Sequence, residues 1–320
     1  MKNRYLPEGL LSPLPENREY LASAAGLERA MNEGVILEAT VLLCDTAMRL
    51  HVDLGCMRGI IERGEAVATR RGEVVKDIAI ITRVGKPICF KVLGFTRERG
   101  EVVAILSRRA AQIECLRSYL GDLITGDIIP ARVTHLENFG AFVDIGCGIP
   151  SLLSVDQISV SRISHPSDRL AAGDDIFVVV SLIQPDEERI FVSMRELLGT
   201  WEENAAHFEA GQTVAGIVRS VESYGVFVEL APNLAGLAEL REERGDRSLA
   251  TVGQYAAVYI KSIIPERMKI KLVLIDSYRG APPSRSLTYY IDGNVTKHID
   301  AWRYSPLGAA KIVETVFSET

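Results

Sequence analysis

Along most of the chain, apolar and polar residues alternate with a period of two, the mark of strands that bury one face. Three such stretches are separated by shorter ones with helical spacing. In 34–107, V-I-L-E-A-T-V-L-L and M-R-L-H-V-D-L pair naturally, and D-I-A-I-I, I-C-F-K-V-L-G-F and V-V-A-I-L-S complete an all-β unit. In 124–197, I-I-P-A-R-V-T-H-L, F-G-A-F-V-D-I, S-L-L-S-V, I-F-V-V-V-S-L-I and R-I-F-V-S-M make five strands, the number of a small closed barrel. Residues 211–276 repeat that order with T-V-A-G-I-V-R-S-V, Y-G-V-F-V-E-L, G-L-A-E-L, A-A-V-Y-I-K-S-I-I and K-I-K-L-V-L-I. The turns fall at Q-P-D-E-E in the second unit and at Glu-Arg-Met in the third.

The connecting segments read differently. Residues 1–33 begin with prolines and continue as a helix from about Glu16 to Asn32, placed to cap the first unit. Residues 108–123 and 198–210 are linker helices. In the second, Leu197, Leu198, Trp201, Ala205 and Phe208 recur at spacings of three and four, so Trp201 is expected against a neighbouring barrel rather than free to stack on a base. In the tail, 277–320, A-P-P-S is a loop, and L-T-Y-Y-I-D-G-N-V-T-K-H-I predicts a hairpin turning at Asp292-Gly293-Asn294. A last helix is expected from about Ala309 to Phe317.

One octapeptide organises the chain. Asn138–Ile145 reads N-F-G-A-F-V-D-I and Ser223–Leu230 reads S-Y-G-V-F-V-E-L, 85 residues apart from Gly to Gly. A fainter copy, A-M-R-L-H-V-D-L, lies at Ala47–Leu54, with Val52 91 residues before Val143. These offsets are those of a small domain rather than a solenoid. Strand alternation turns Ala141 and Val143 inward and Phe142 outward, and Gly140 is expected to bend the strand so that Phe139 reaches the same outer surface. Two outward aromatics on a small barrel form a candidate binding surface on which bases can stack.

The net charge of −6 excludes a protein that simply coats duplex nucleic acid, which needs a basic face. The balance is uneven: 34–109 carries 13 Lys and Arg against 9 Asp and Glu, while 124–197 carries 5 against 11 and 210–276 carries 8 against 8. No apolar run approaches the roughly 18 residues of a membrane span. The N-terminus lacks an apolar signal region, and five dispersed Cys without a C-x-x-C pair point to reduced thiols and a cytoplasmic setting.

With these residues in view, the second and third units resemble the S1 RNA-binding domain. The pattern in the second unit is A-R-V-T-H-L from Ala131, then F-G-A-F-V-D-I, S-L-L-S-V-D-Q-I-S, A-G-D-D-I-F-V-V-V and R-I-F-V-S from Arg189. In the third it is G-I-V-R-S-V from Gly216, then Y-G-V-F-V-E-L, A-G-L-A-E-L, V-G-Q-Y-A-A-V and K-I-K-L from Lys269. The first unit matches weakly. The resemblance implies three tandem five-stranded OB-fold barrels joined by short helices, in a mainly β chain with an N-terminal helix and a small α+β tail. It implies an RNA face of Phe139, Phe142 and Arg189 in the second unit and Tyr224, Phe227 and Lys269 in the third. The alternative for these rings is packing on a neighbouring domain or the linker helices. Where the family often carries His after strand three, this chain has Ser154 and Glu239, and a carboxylate there repels phosphate. In the first unit Met48 and His51 take the aromatic places and Arg49 that of the glycine, so its stacking platform is largely gone.

The implied function is non-catalytic binding of single-stranded RNA, including mRNA, in association with the small ribosomal subunit and translation. The alternative is a scaffold whose barrels dock on ribosomal or RNA-degradation proteins. No cofactor, membrane or small-molecule substrate is expected. Cys44, His51 and Cys56 are close in sequence, but a metal wants a fourth ligand and tighter pairs, so a core thiol and a surface His are expected instead. No phosphate-binding G-x-x-x-x-G-K-[ST] loop and no nucleophile–base set is present, which leaves a nuclease without a catalytic domain.

Overall fold

The computed structural model describes residues 5–69, 75–185, 189–239, 250–278 and 287–317. Part of the Q-P-D-E-E turn and the A-P-P-S loop lie outside the described residues. The fold is mainly β. Strands β1 (Leu37–Cys44), β2 (Leu50–Asp53), β3 (Arg58–Ile61), β4 (Pro87–Glu98) and β5 (Glu101–Ser107) close into a barrel in the order β1-β2-β3-β5-β4. A second barrel is closed by β6 (Ile128–Glu137), β7 (Gly140–Asp144), β8 (Pro150–Ser154), β9 (Asp175–Gln184) and β10 (Arg189–Ser193). The third is closed by β11 (Thr213–Val221), β12 (Gly225–Ala231), β13 (Leu234–Glu239), β14 (Tyr255–Ile264) and β15 (Lys269–Tyr278). In each, the third strand runs parallel to the fifth, which seals the sheet and leaves no free edge.

The first strand of every barrel carries a bulge at the same place, after Val41, Val133 and Val218. These valines face Val52, Val143 and Val228 across the ladder, so the faint copy of the octapeptide is in register with the other two. The inward sets are small and branched. Val133, Ala141, Val143, Leu153, Val178, Val180 and Val192 form the second core, and Val218, Val226, Val228, Ala238, Val258 and Leu272 the third.

The first unit is not all-β. D-I-A-I-I forms helix α3 (Asp77–Ile81), and β3 is supplied by R-G-I-I instead. A five-residue apolar run fits either state, and here it has no strand to pair with, because β3 already lies between β2 and β5. Asp77 sits favourably in the first helical turn, and only Ile80 of its isoleucines is fully buried.

The N-terminal helix is two, α1 (Pro15–Leu21) and α2 (Ala24–Glu33), because Ser23 is extended and its side chain caps the second. The buried carboxylate of Glu38 on β1 accepts hydrogen bonds from the N–H groups of Gly9, Leu11 and Ser12, which ties this segment to the first barrel. The first linker is α4 (Arg108–Ser118) with a 3₁₀ turn at Leu120–Asp122. After β8 the chain makes the short helix α5 (Val155–Ile158). The second linker is a 3₁₀ turn, Arg195–Leu198, followed by α6 (Trp201–Ala205), and Trp201 is buried in the third core.

Two expectations for the tail are corrected. The turn at Asp292 forms, with the N–H groups of Val295 and Thr296 donating to its carbonyl, but its flanks do not pair with each other. They bond to the second barrel instead: Ile128 N–H donates to Lys297 O, Ile299 N–H to Gly126 O and Tyr290 N–H to Leu197 O. The open backbone groups at the start of β6 thus compete successfully with a local hairpin. The expected helix over 309–317 is replaced by a two-stranded sheet of β16 (Ala301–Arg303) and β17 (Glu314–Val316), with Trp302 opposite Thr315. Alternation explains this outcome, since Trp302, Tyr304 and Val313 all pack on the third core.

Candidate nucleic-acid interface

The octapeptide builds the same object twice. Phe139 sits at the β6–β7 turn and is 55% exposed, and Phe142 lies half-buried on the outer face of β7. Their ring centroids are 6.0 Å apart with the planes at 90°. In the third barrel Tyr224 is 60% exposed, Phe227 is half-buried, and the centroids are 6.2 Å apart, again at 90°. Ala141, Val143, Val226 and Val228 between them point into the cores. Edge-to-face packing holds one ring against the other and leaves faces open to solvent.

Gly140 has a different role from the expected bend. The bulge lies on the facing strand β6, and Gly140 itself admits the close approach of β8: a Cβ there would stand 2.5 Å from Leu153 O. At Gly225 a Cβ would stand 2.6 Å from Leu237 Cδ1 and 2.8 Å from Ala238 O.

Strand register maps the rest of the face. Phe142 is opposite Leu152, Leu152 opposite Phe191, and Phe191 opposite Leu182, a row across β7, β8, β10 and β9. One residue pair along, Gly140 is level with Ser154, which places the hydroxyl beside the Phe139 end. In the other direction lie Asp144, Pro150 and, on β10, exposed Arg189 opposite Gln184. Arg189 is therefore two strands and one residue pair from Phe142, on the same outer face but not beside the ring. The third barrel repeats the map with Phe227, Leu237 and Lys271 in the central row, Glu239 level with Gly225, and exposed Lys269 opposite Ile264. Leu152, Phe191, Leu237 and Lys271 are missed by reading one strand at a time. Only the pairing of strands distant in sequence lines them up with the rings.

The first barrel has closed this surface. Met48, in the place of Phe139, adopts a left-handed φ of 60° and packs on the barrel's own core. Arg49 Nε lies 2.9 Å from Asp45 Oδ2 and its Nη1 3.0 Å from Glu98 Oε1, and His51 Nε2 is 3.1 Å from Asp45 Oδ2. The N–H of Arg49, helped by the His51 and Arg49 side chains, holds the Asp45 carboxyl well below the usual carboxylate range. The polar groups at these positions are paired with one another.

The octapeptide's acid has a role that the sequence does not signal. Asp53 is exposed, but Asp144 and Glu229 are buried, each two residues beyond the outward ring. Asp144 accepts from the N–H groups of Glu8, Gly146 and Gly148, and Glu8 in turn pairs with Arg108 at 2.6 Å and accepts from Cys89 N–H at the junction of the first two barrels. Burial, then the charge of Glu8, push the Asp144 carboxyl up to about 7. Glu229 Oε2 lies 2.6 Å from both Arg169 of the second barrel and Arg219 of its own. Asn233 adds to that second junction, accepting from Val160 N–H and donating to Arg195 O and Gly199 O.

Among the described residues no cluster of His, Cys, Asp and Glu is arranged to hold a metal, and no helix is long and apolar enough to cross a membrane. His51 is engaged by Asp45, while Cys89, Cys115 and Cys147 are buried in one core.

Residues 122–195 match the model of the S1 RNA binding domain, a span that contains β6 to β10. The small ribosomal subunit protein bS1 of Mycobacterium tuberculosis is 34% identical over 236 residues, 70% of this chain and 47% of that protein. The bS1 homolog of Bacillus cereus is 29% identical over 204 residues, 61% of this chain and 53% of that protein. The chain thus spans about half the length of the curated relatives it matches. Residues 122–195 thus make a unit of the S1 RNA-binding domain family, and most of the chain's length is similar to bacterial ribosomal protein bS1.

Proposed function

We propose that this protein binds single-stranded RNA, including mRNA, on the outer faces of its second and third barrels, in association with the small ribosomal subunit during translation. The three barrels at 34–107, 124–197 and 211–276 are read as tandem OB-fold units of the S1 type, of which the first has given up its stacking platform. The observation that carries the reading is the duplicated edge-to-face pair of one exposed and one half-buried ring, Phe139–Phe142 and Tyr224–Phe227. Stacking tolerates any base and needs little net positive charge, which suits a chain of net charge −6. Arg189 and Lys269 supply phosphate contacts at the far edge of each face. Glu239 beside Tyr224 repels phosphate, so the second barrel carries the larger share. The reading needs no catalysis, cofactor, small-molecule substrate or membrane, and it places the protein in the cytoplasm. The similarity to bS1 proteins supports the ribosomal setting.

Fluorescence titration with a single-stranded RNA oligomer tests the mechanism. The combined variant Phe142→Ala, Phe227→Ala is expected to lose most of the affinity, and unchanged affinity refutes stacking. Sedimentation with small subunits, before and after ribonuclease removes mRNA, tests the setting.

A further inference from the structure

We infer that Phe191 is a further base-stacking residue of the second barrel, and that the same position in the third barrel, Lys271, is a phosphate contact. The inference rests on the RNA-binding reading above. Its ground is register: Phe142–Leu152–Phe191–Leu182 is a continuous cross-strand row on one outer face. Its neighbours on β10 face the other way, since Ile190 and Val192 pack in the second core. None of the four row residues belongs to a core cluster among the described residues, and Leu182 at the end of the row is 46% exposed. One strand, β8, lies between Phe142 and Phe191, so their backbones are two strand spacings apart, about 10 Å. Leu152 covers that gap with apolar surface, so a strand leaving the Phe139–Phe142 pair crosses an unbroken apolar path to a third ring.

The third barrel makes the same row from Phe227, Leu237, Lys271 and Ser262. A ring is replaced by an exposed ammonium, which offers a base no stacking face and a phosphate one charge. Two units with the same ring pair therefore differ in kind. Binding by the second barrel extends by stacking and resists salt, whereas binding by the third adds a salt-sensitive contact. This difference also fits their surroundings, because the second unit is the acidic one and gains least from electrostatics.

The test uses the full chain carrying Tyr224→Ala and Phe227→Ala, so that the second barrel dominates. Binding of a fluorescein-labelled single-stranded RNA of about 12 nucleotides, long enough to cross one such barrel, is read by anisotropy at several salt concentrations. Phe191→Ala is expected to weaken binding about tenfold. Phe191→Lys is expected to recover affinity at low salt and to steepen the dependence of log affinity on log salt by about 0.7. Circular dichroism and the thermal midpoint confirm that each variant is folded. Phe142→Ala separates the two ideas. If it weakens binding while Phe191→Ala changes affinity by less than about twofold, the third stacking position is refuted and the RNA face stands. If Phe142→Ala has no effect, the face itself is refuted, and this inference with it. Full affinity in Phe191→Leu also refutes stacking, since Leu keeps apolar area but not a ring.

Discussion

Arg169 of the second barrel places Nη2 2.6 Å from Oε2 of Glu229 in the third, with both side chains almost completely buried. Arg219 holds the same oxygen from the other side at 2.6 Å and reaches Asp168 at 3.0 Å. One carboxylate thus bridges two guanidinium groups at a domain junction. Removing it leaves buried Arg169 without a carboxylate and Arg219 with Asp168 alone, and the cost of breaking a buried pair exceeds what the intact pair contributes. Glu229→Gln is expected to lower stability by about 3–5 kcal/mol, read from denaturant unfolding. A double-mutant cycle with Arg169→Met should recover a substantial part of that loss.

The other junction is pH-sensitive. The folded-state carboxyl of Asp144 titrates at about 7, whereas an unfolded Asp titrates near 3.9. Between these values the native state keeps a proton that the unfolded state releases, so this group's contribution to stability falls as pH rises through the window. It is greatest below about pH 4 and flat above about 7, with a slope of at most roughly 1.4 kcal/mol per pH unit. Thermal midpoints measured from pH 4 to 8 should therefore decline less steeply in Asp144→Asn. A slope equal to the parent's refutes this assignment.

Gly140 tests whether the platform depends on close strand approach. A methyl group there would meet Leu153 O at 2.5 Å and Ser154 Cα at 3.0 Å, while one at Gly94 on β4 would meet nothing within 4 Å. Gly140→Ala is expected to cost about 1–3 kcal/mol by overpacking, and Gly94→Ala much less. Equal thermal midpoints for the two variants would contradict the argument.

The first barrel is expected to be silent toward RNA. His51 is tied to Asp45, and Met48 packs half-buried against the barrel's core. His51→Ala should change the affinity for a single-stranded oligomer by less than about twofold, whereas Phe142→Ala should weaken it about tenfold or more. A large loss with His51→Ala would show that the first barrel takes part.

The sequence by itself determined what depends on near neighbours. Period-two alternation marks the strands of the second and third barrels, separates Phe142 from Ala141 and Val143, and makes two copies of one octapeptide recognisable 85 residues apart. The loss of both rings in the first copy is equally plain. Tertiary structure decided what depends on pairing between strands distant in the chain. D-I-A-I-I became a helix because its place in the sheet was taken by Arg58–Ile61. The tail gave up its hairpin because the open end of β6 offered better partners. Parallel pairing of β8 with β10 brought Phe191 into line with Phe142, and Arg189 away from it. The octapeptide's acid became a junction anchor only where a distant segment delivered a donor to it, Glu8 N–H to Asp144 and Arg169 to Glu229. Local alternation fixes which way a side chain points, but what it meets there is set by closure of the barrel and the packing of one barrel on the next.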